Sequence, residues 1–120
     1  MKIKAEVPHR TAESEDVLVS PHWVADRLSD PDLRVVEVGE AVYDQWHIDG
    51  AVLWSVYGDL KDADYHTIDA TGLERLLARS GIRPDSAVVL YGYAPALGYW
   101  LMKLYGHLDV RILARILYIP

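Results

Sequence analysis

Short runs of apolar, largely β-branched residues alternate along the chain with stretches whose apolar positions recur every three or four residues. Ala87-Val88-Val89-Leu90-Tyr91 is the clearest run, with the continuous hydrophobicity of a strand buried on both faces of a parallel sheet. Gly92-Tyr93-Ala94-Pro95 breaks it, and from Ala96 to Tyr105 the period becomes helical. Leu97, Trp100, Leu101 and Leu104 form the expected buried stripe, and Gly106 is placed to stop the helix. Leu33-Arg34-Val35-Val36-Glu37-Val38 reads as a second central strand ending at Gly39-Glu40, and Ala51 to Trp54 and Val110 to Leu113 read as two more.

The helical pattern recurs before and between these strands. Ser20-Pro21 is a helix start, with Ser20 as N-cap and Pro21 at the first helical position, where its missing N–H is no loss. Trp23, Val24 and Leu28 then share a face, and Trp23 is expected to pack in the core. Asp69 or Thr71 caps a helix running to about Ser80 with Leu73, Leu76 and Leu77 inward, and Gly81 ends it. Val17-Leu18-Val19 suggests a short edge strand, Ala41 to Trp46 allows a short helix, and Ser55 to Thr67 reads as a surface loop. Strands separated by helices and joined by short turns predict one α/β domain with a mostly parallel sheet and helices on both faces.

Composition narrows the function classes. The chain has 120 residues, half of them apolar and a quarter charged, the balance of one soluble globular domain. No apolar run approaches the ~20 residues of a membrane span, and Met1 to Glu6 lacks a secretory signal's apolar stretch. No membrane partner and a cytoplasmic location are therefore expected. A net charge of −6, with lysines and arginines scattered singly, speaks against a nucleic-acid partner. Cysteine is absent, which excludes disulfides, thiolate metal sites and thiol nucleophiles within these residues.

The loop after the Ala87–Tyr91 strand lies where α/β sheets build their sites, at the carboxyl edge. Gly92, Tyr93, Ala94, Pro95 and Ala96 are therefore the candidate site loop. Glu37, at the end of its strand, is a candidate carboxylate facing that loop, set against the ordinary reading of a strand-end charge. His47 and His107 flank glycine turns and read as hydrogen-bonding turn residues rather than ligands, so no metal site is expected. Tyr91 and Trp100 read as core, while Tyr93 and Tyr99 are as well suited to a domain or dimer surface. Ser55, His66 and Asp69 supply the residue types of a catalytic triad without a nucleophile-elbow sequence.

Taken in order, Leu18-Val19-Ser20 with Trp23 and Leu28, the strand Arg34 to Val38, the turn His47-Ile48-Asp49-Gly50-Ala51, Gly81-Ile82 before Asp85, the strand Val88 to Tyr91, and Leu104-Tyr105-Gly106-His107-Leu108-Asp109-Val110-Arg111 resemble the rhodanese domain. The likeness is greatest to the N-terminal half of a two-domain thiosulfate sulfurtransferase, and it spans about Val17 to Leu113. It implies a rhodanese-like three-layer fold and no cofactor. In that family the C-terminal copy carries a nucleophilic cysteine after the strand matching Val88 to Tyr91, where loop amides near a helix N-terminus stabilise the anionic sulfur.

The matching position here is Gly92, and three further departures accompany it. Gly92 to His107 is about one helical turn (~3.6 residues) shorter than the family pattern, Ser55 stands where an acidic residue is expected, and Ala114-Arg115 replaces an Asp-Gly-Gly turn and a Trp-bearing helix. The resemblance thus implies a domain inactive alone, with a structural or regulatory role beside a catalytic rhodanese domain, or in a homo-oligomer. The alternative is a stand-alone module that binds a protein or an anion through the Gly92 loop. Residues 1–16 are expected to be a flexible tail and 17–120 a single domain, truncated at its apolar C-terminal end.

Overall fold

A computed structural model describes residues 16–40 and 43–114. In chain order its elements are β1 (Leu18–Val19), α1 (Pro21–Ala25), β2 (Leu33–Gly39), β3 (Val52–Ser55), α2 (Ala70–Arg79), β4 (Ala87–Gly92), α3 (Pro95–Leu104) and β5 (Val110–Leu113). The five strands form one sheet in the order β1-β5-β4-β2-β3, parallel at every pairing. The centre belongs to β4 and β2, whose register sets Glu37 beside Tyr91 and Val38 beside Gly92. Helices cover both faces, as the alternation of strand and helix patterns predicts.

Strand alternation sorts the core into two layers. On one face Val36, Val38, Val88 and Leu90 meet Leu73 and Leu76 of α2 and Leu101 and Met102 of α3, with Trp54 among them. The Trp54 indole Nε1–H donates to Ser80 Oγ at 2.9 Å, so the one polar atom of that buried ring is satisfied. On the other face Val35, Val89 and Tyr91 pack with Val19, Leu33 and Leu113 under Val24 of α1.

Local chemistry accounts for the boundaries. Ser20 Oγ accepts the Trp23 N–H at 3.1 Å with Pro21 at the first position, and Asp69 Oδ1 accepts the Gly72 N–H at 2.8 Å. Gly81 turns the chain out of α2 at φ +73°. The segment after β3 is a loop as expected, though Val56 and Leu60 plug into the core from it.

Three expectations need correction. Trp100 and Leu104 of the predicted stripe are half exposed, and Gly98, Leu101 and Met102 face inward instead. The cause is Gly98, where an added Cβ would lie 3.2 Å from Leu90 Cδ1 and 3.3 Å from Val38 Cγ2. A helix that lays its glycine against the sheet rotates its bulkier neighbours outward. Leu28 is 42% exposed rather than buried with Val24, because it lies beyond the five residues of α1. Tyr43 to Gln45 form a turn and Trp46 has no regular structure, so no helix occupies the described part of 41–46. Trp23 is half buried, with the guanidinium carbons of Arg27 and Arg111 4.0 and 4.9 Å from its ring centroid. The expected tail, but for Asp16, and residues 115–120 lie outside the described residues.

Candidate functional site

The site loop begins where β4 runs out of ladder. Gly92 is paired with Val38 in the sheet but takes φ +111°, a region that disfavours any residue with a Cβ. A Cβ there would stand 2.8 Å from the Val38 carbonyl oxygen, 3.2 Å from the Val38 nitrogen and 3.0 Å from Glu37 Cγ. The two close backbone atoms cannot swing aside as a side-chain tip would.

The next two amides are committed as well. Tyr93 N–H and Ala94 N–H both donate to the Val38 carbonyl, at 2.9 and 3.0 Å. The loop is therefore folded back on β2, and its first N–H groups hold the strand end rather than an incoming anion. Pro95 has no N–H to offer. α3 starts at Pro95, one residue before the expected start, without a side-chain cap at Ala94. Ala96 is exposed at its first turn, and Tyr93, 86% exposed, projects from the loop with its Cβ close to Gly39.

Glu37 is beside this loop but does not open onto it. It is 2% exposed, and its Oε1 accepts the Tyr91 hydroxyl at 2.9 Å. The Tyr91 oxygen in turn accepts the backbone N–H of Ile48 at 3.0 Å. Carboxylate, phenol and amide form one buried chain that ties β2 and β4 to the turn before β3. Nothing in the sequence advertises this trio except the alternation of each strand. Once Glu37 and Tyr91 are paired in register, their side chains share a face.

The carboxylate exposed at the edge is Glu40. Its Oε2 accepts the Ser55 hydroxyl at 2.5 Å and the Tyr57 N–H at 3.2 Å. The Ser55 hydrogen bond first, and the Tyr57 amide next, hold the Glu40 carboxyl below the ordinary carboxylate range. Tyr57 and Tyr65 meet edge to face beyond it, 6.2 Å between centroids. Tyr99 is half buried against the core.

The remaining candidates are structural in their contacts. His47 donates from Nδ1 to the Tyr43 carbonyl at 2.8 Å while stacking on the Tyr43 ring, and His107 donates from Nε2 to the Ser86 carbonyl at 2.8 Å. Ser55, His66 and Asp69 are not brought together. Ser55 serves Glu40, His66 lies 3.9 Å from Asp62 and Asp69 caps α2. Asp62, Asp64 and His66 do converge, as an exposed group whose ligand atoms lie within 4.8 Å of one another. No helix among the described residues is long and apolar enough to cross a membrane.

An all-parallel five-stranded sheet whose β4 loop begins at the carboxyl edge with glycine has clear relatives. The Escherichia coli 3-mercaptopyruvate sulfotransferase SseA, a rhodanese fold, superposes with a TM-score of 0.69 over 82% of this chain and 44% of its own, at 19% identity. The crystal structure of YnjE matches with a TM-score of 0.70 and 31% identity over 81% of this chain and 27% of that one. The chain is thus a rhodanese-fold domain.

In sequence it resembles sulfurtransferases: it is 42% identical over 107 residues to a putative thiosulfate sulfurtransferase of Mycolicibacterium smegmatis, covering 82% of this chain. The match spans only 38% of that relative's length. No family model matches the sequence.

Proposed function

We propose that this chain is the non-catalytic, N-terminal rhodanese domain of a two-domain thiosulfate sulfurtransferase, a structural or regulatory companion to a domain that carries the cysteine. The observation that carries this reading is the geometry at Gly92. A thiol there has no room beside the Val38 carbonyl, and the amides that would steady a thiolate or persulfide are spent on that same oxygen. The absence of cysteine from all 120 residues agrees with it, as does a match to little more than a third of the thiosulfate sulfurtransferase relative. The committed amides also speak against the loop as an anion-binding module.

Two measurements test the proposal. The chain incubated with thiosulfate and cyanide is expected to form thiocyanate no faster than a protein-free control; formation above control overturns the non-catalytic reading. A rhodanese domain bearing the catalytic cysteine, supplied separately, is expected to bind the chain in analytical ultracentrifugation, and failure to associate overturns the companion role. Gly92→Cys is expected to fold less stably and still transfer no sulfur, because both the side-chain space and the free amides are missing.

A further inference from the structure

Beside α2 the fold gathers cations that stand singly in the sequence. A groove of about 250 Å3 between that helix and the loop after β3 is lined by Asp59, Lys61, Ile68, Arg75, Leu76 and Arg79, among others. Three cations meet one carboxylate there, and that carboxylate is engaged: Asp59 Oδ1 pairs with Arg79 at 3.3 Å, and its Oδ2 accepts the Ser55 N–H at 2.7 Å. The Lys61 and Arg75 side chains have no hydrogen bond or ion pair among the described residues.

The backbone holds both in place. Lys61 bridges Thr67 across the loop, and the Ile68 N–H donates to the Leu60 carbonyl at 3.0 Å. Arg75 and Arg79 stand one turn apart on α2, a spacing at which like charges repel unless an anion shares the face. The adjoining carboxylates are turned to other tasks. Asp62 accepts the Asp64 and His66 amides, Asp69 accepts the Gly72 amide, and Glu74 lines the separate cavity between α2 and α3. The rest of the chain's net negative charge acts weakly here, because exposed charges beyond a Debye length of ~8 Å are screened.

We propose that this groove binds a small phosphate monoester, with its dianion between Lys61 and Arg75 and a compact organic body against half-buried Ile68. A guanidinium grips a phosphate bidentately while an ammonium adds a point charge, so a doubly charged head answers both cations where a carboxylate answers one. The volume lies below the ~300 Å3 at which drug-sized sites begin, which suits a small ester rather than a polymer. The groove shares no lining residue with the Gly92 loop, so this site is independent of sulfur transfer.

Phenyl phosphate titrated into the full chain is expected to shift the amide resonances of Gly58 and Gly72, which also line the groove, in a saturable way in the millimolar range. Lys61→Ala with Arg75→Ala is expected to weaken binding by about tenfold, since charge-assisted hydrogen bonds are lost, while Arg75→Lys keeps most of it. Phenyl phosphate should also raise the melting temperature of the parent and leave that of the double variant unmoved. No saturable shift, or equal binding by the double variant, overturns the proposal. Inorganic phosphate binding as tightly as phenyl phosphate overturns the role of Ile68 and with it the ester, and an oligothymidylate binding more tightly per phosphate overturns the small ligand.

Discussion

The two faces of the sheet solve the same burial problem differently. Under α2 and α3 the layer against the sheet is mostly aliphatic, with Val36, Val38, Val88, Leu90, Leu101 and Met102 each essentially without solvent contact, and the cavity of about 350 Å3 on that side lies farther out, between α2 and α3 at Leu77, Met102 and His107. Under α1 a five-residue helix covers a smaller cluster, the buried chain Glu37–Tyr91–Ile48 stands at its centre, and a groove remains open beside it. The first face is held by area removed from water, the second partly by hydrogen bonds that are costly to leave unmade. The site loop sits where these regimes meet, with Gly92 against both Val38 and Glu37.

The sharpest way to break the comparison is a cavity in the aliphatic layer under α2 and α3. Leu90→Ala is expected to cost about 2–5 kcal/mol in urea unfolding, because neighbours packed this tightly collapse only partly. Tyr91→Phe should cost about 1–3 kcal/mol by leaving the Ile48 N–H and the Glu37 oxygen buried without their partner. A loss near zero would mean that the α1 face, like the other, rests on packing alone. Removing the α1 cap, Ser20→Ala, is expected to cost about 1 kcal/mol, seen as a modest fall in melting temperature.

The smallest effect is electrostatic. Glu40 has its folded pKa held below 4.5, so its stabilising bonds to Ser55 and Tyr57 are fully present above that pH and fade as pH falls through the lowered value. Parent and Glu40→Gln melting curves should therefore differ at neutral pH and converge in acid. A gap that widens on acidification would have the wrong sign.

Much of this architecture is written locally. Val-rich runs give β2 and β4, Ser20-Pro21 and Asp69 start two helices, and Gly81 stops one; each depends on neighbours in sequence, and each is found where the pattern puts it. What sequence hides is set by distance across the fold. The rotation of α3 that exposes Trp100 follows from Gly98 meeting Leu90, eight residues away, and periodicity among apolar residues counts a glycine as silent. The same holds at the site. Gly92 could be read as a glycine after the strand, but the commitment of the Tyr93 and Ala94 amides depends on Val38, a carbonyl on another strand that no residue type announces. Glu37 sits near the loop as its strand-end position suggested, yet its oxygen is directed to Tyr91.

The edge strand has a consequence for how the chain assembles. β1 is two residues long and, among the described residues, pairs only with β5, Leu18 opposite Ile112 and Val19 opposite Leu113. Of the described strands, the first in sequence therefore has the last as its neighbour. Pairing β1 with β5 closes nearly the longest loop among the described residues, whereas β2, β3 and β4 pair over shorter separations, so the entropic cost of closure falls most heavily on β1.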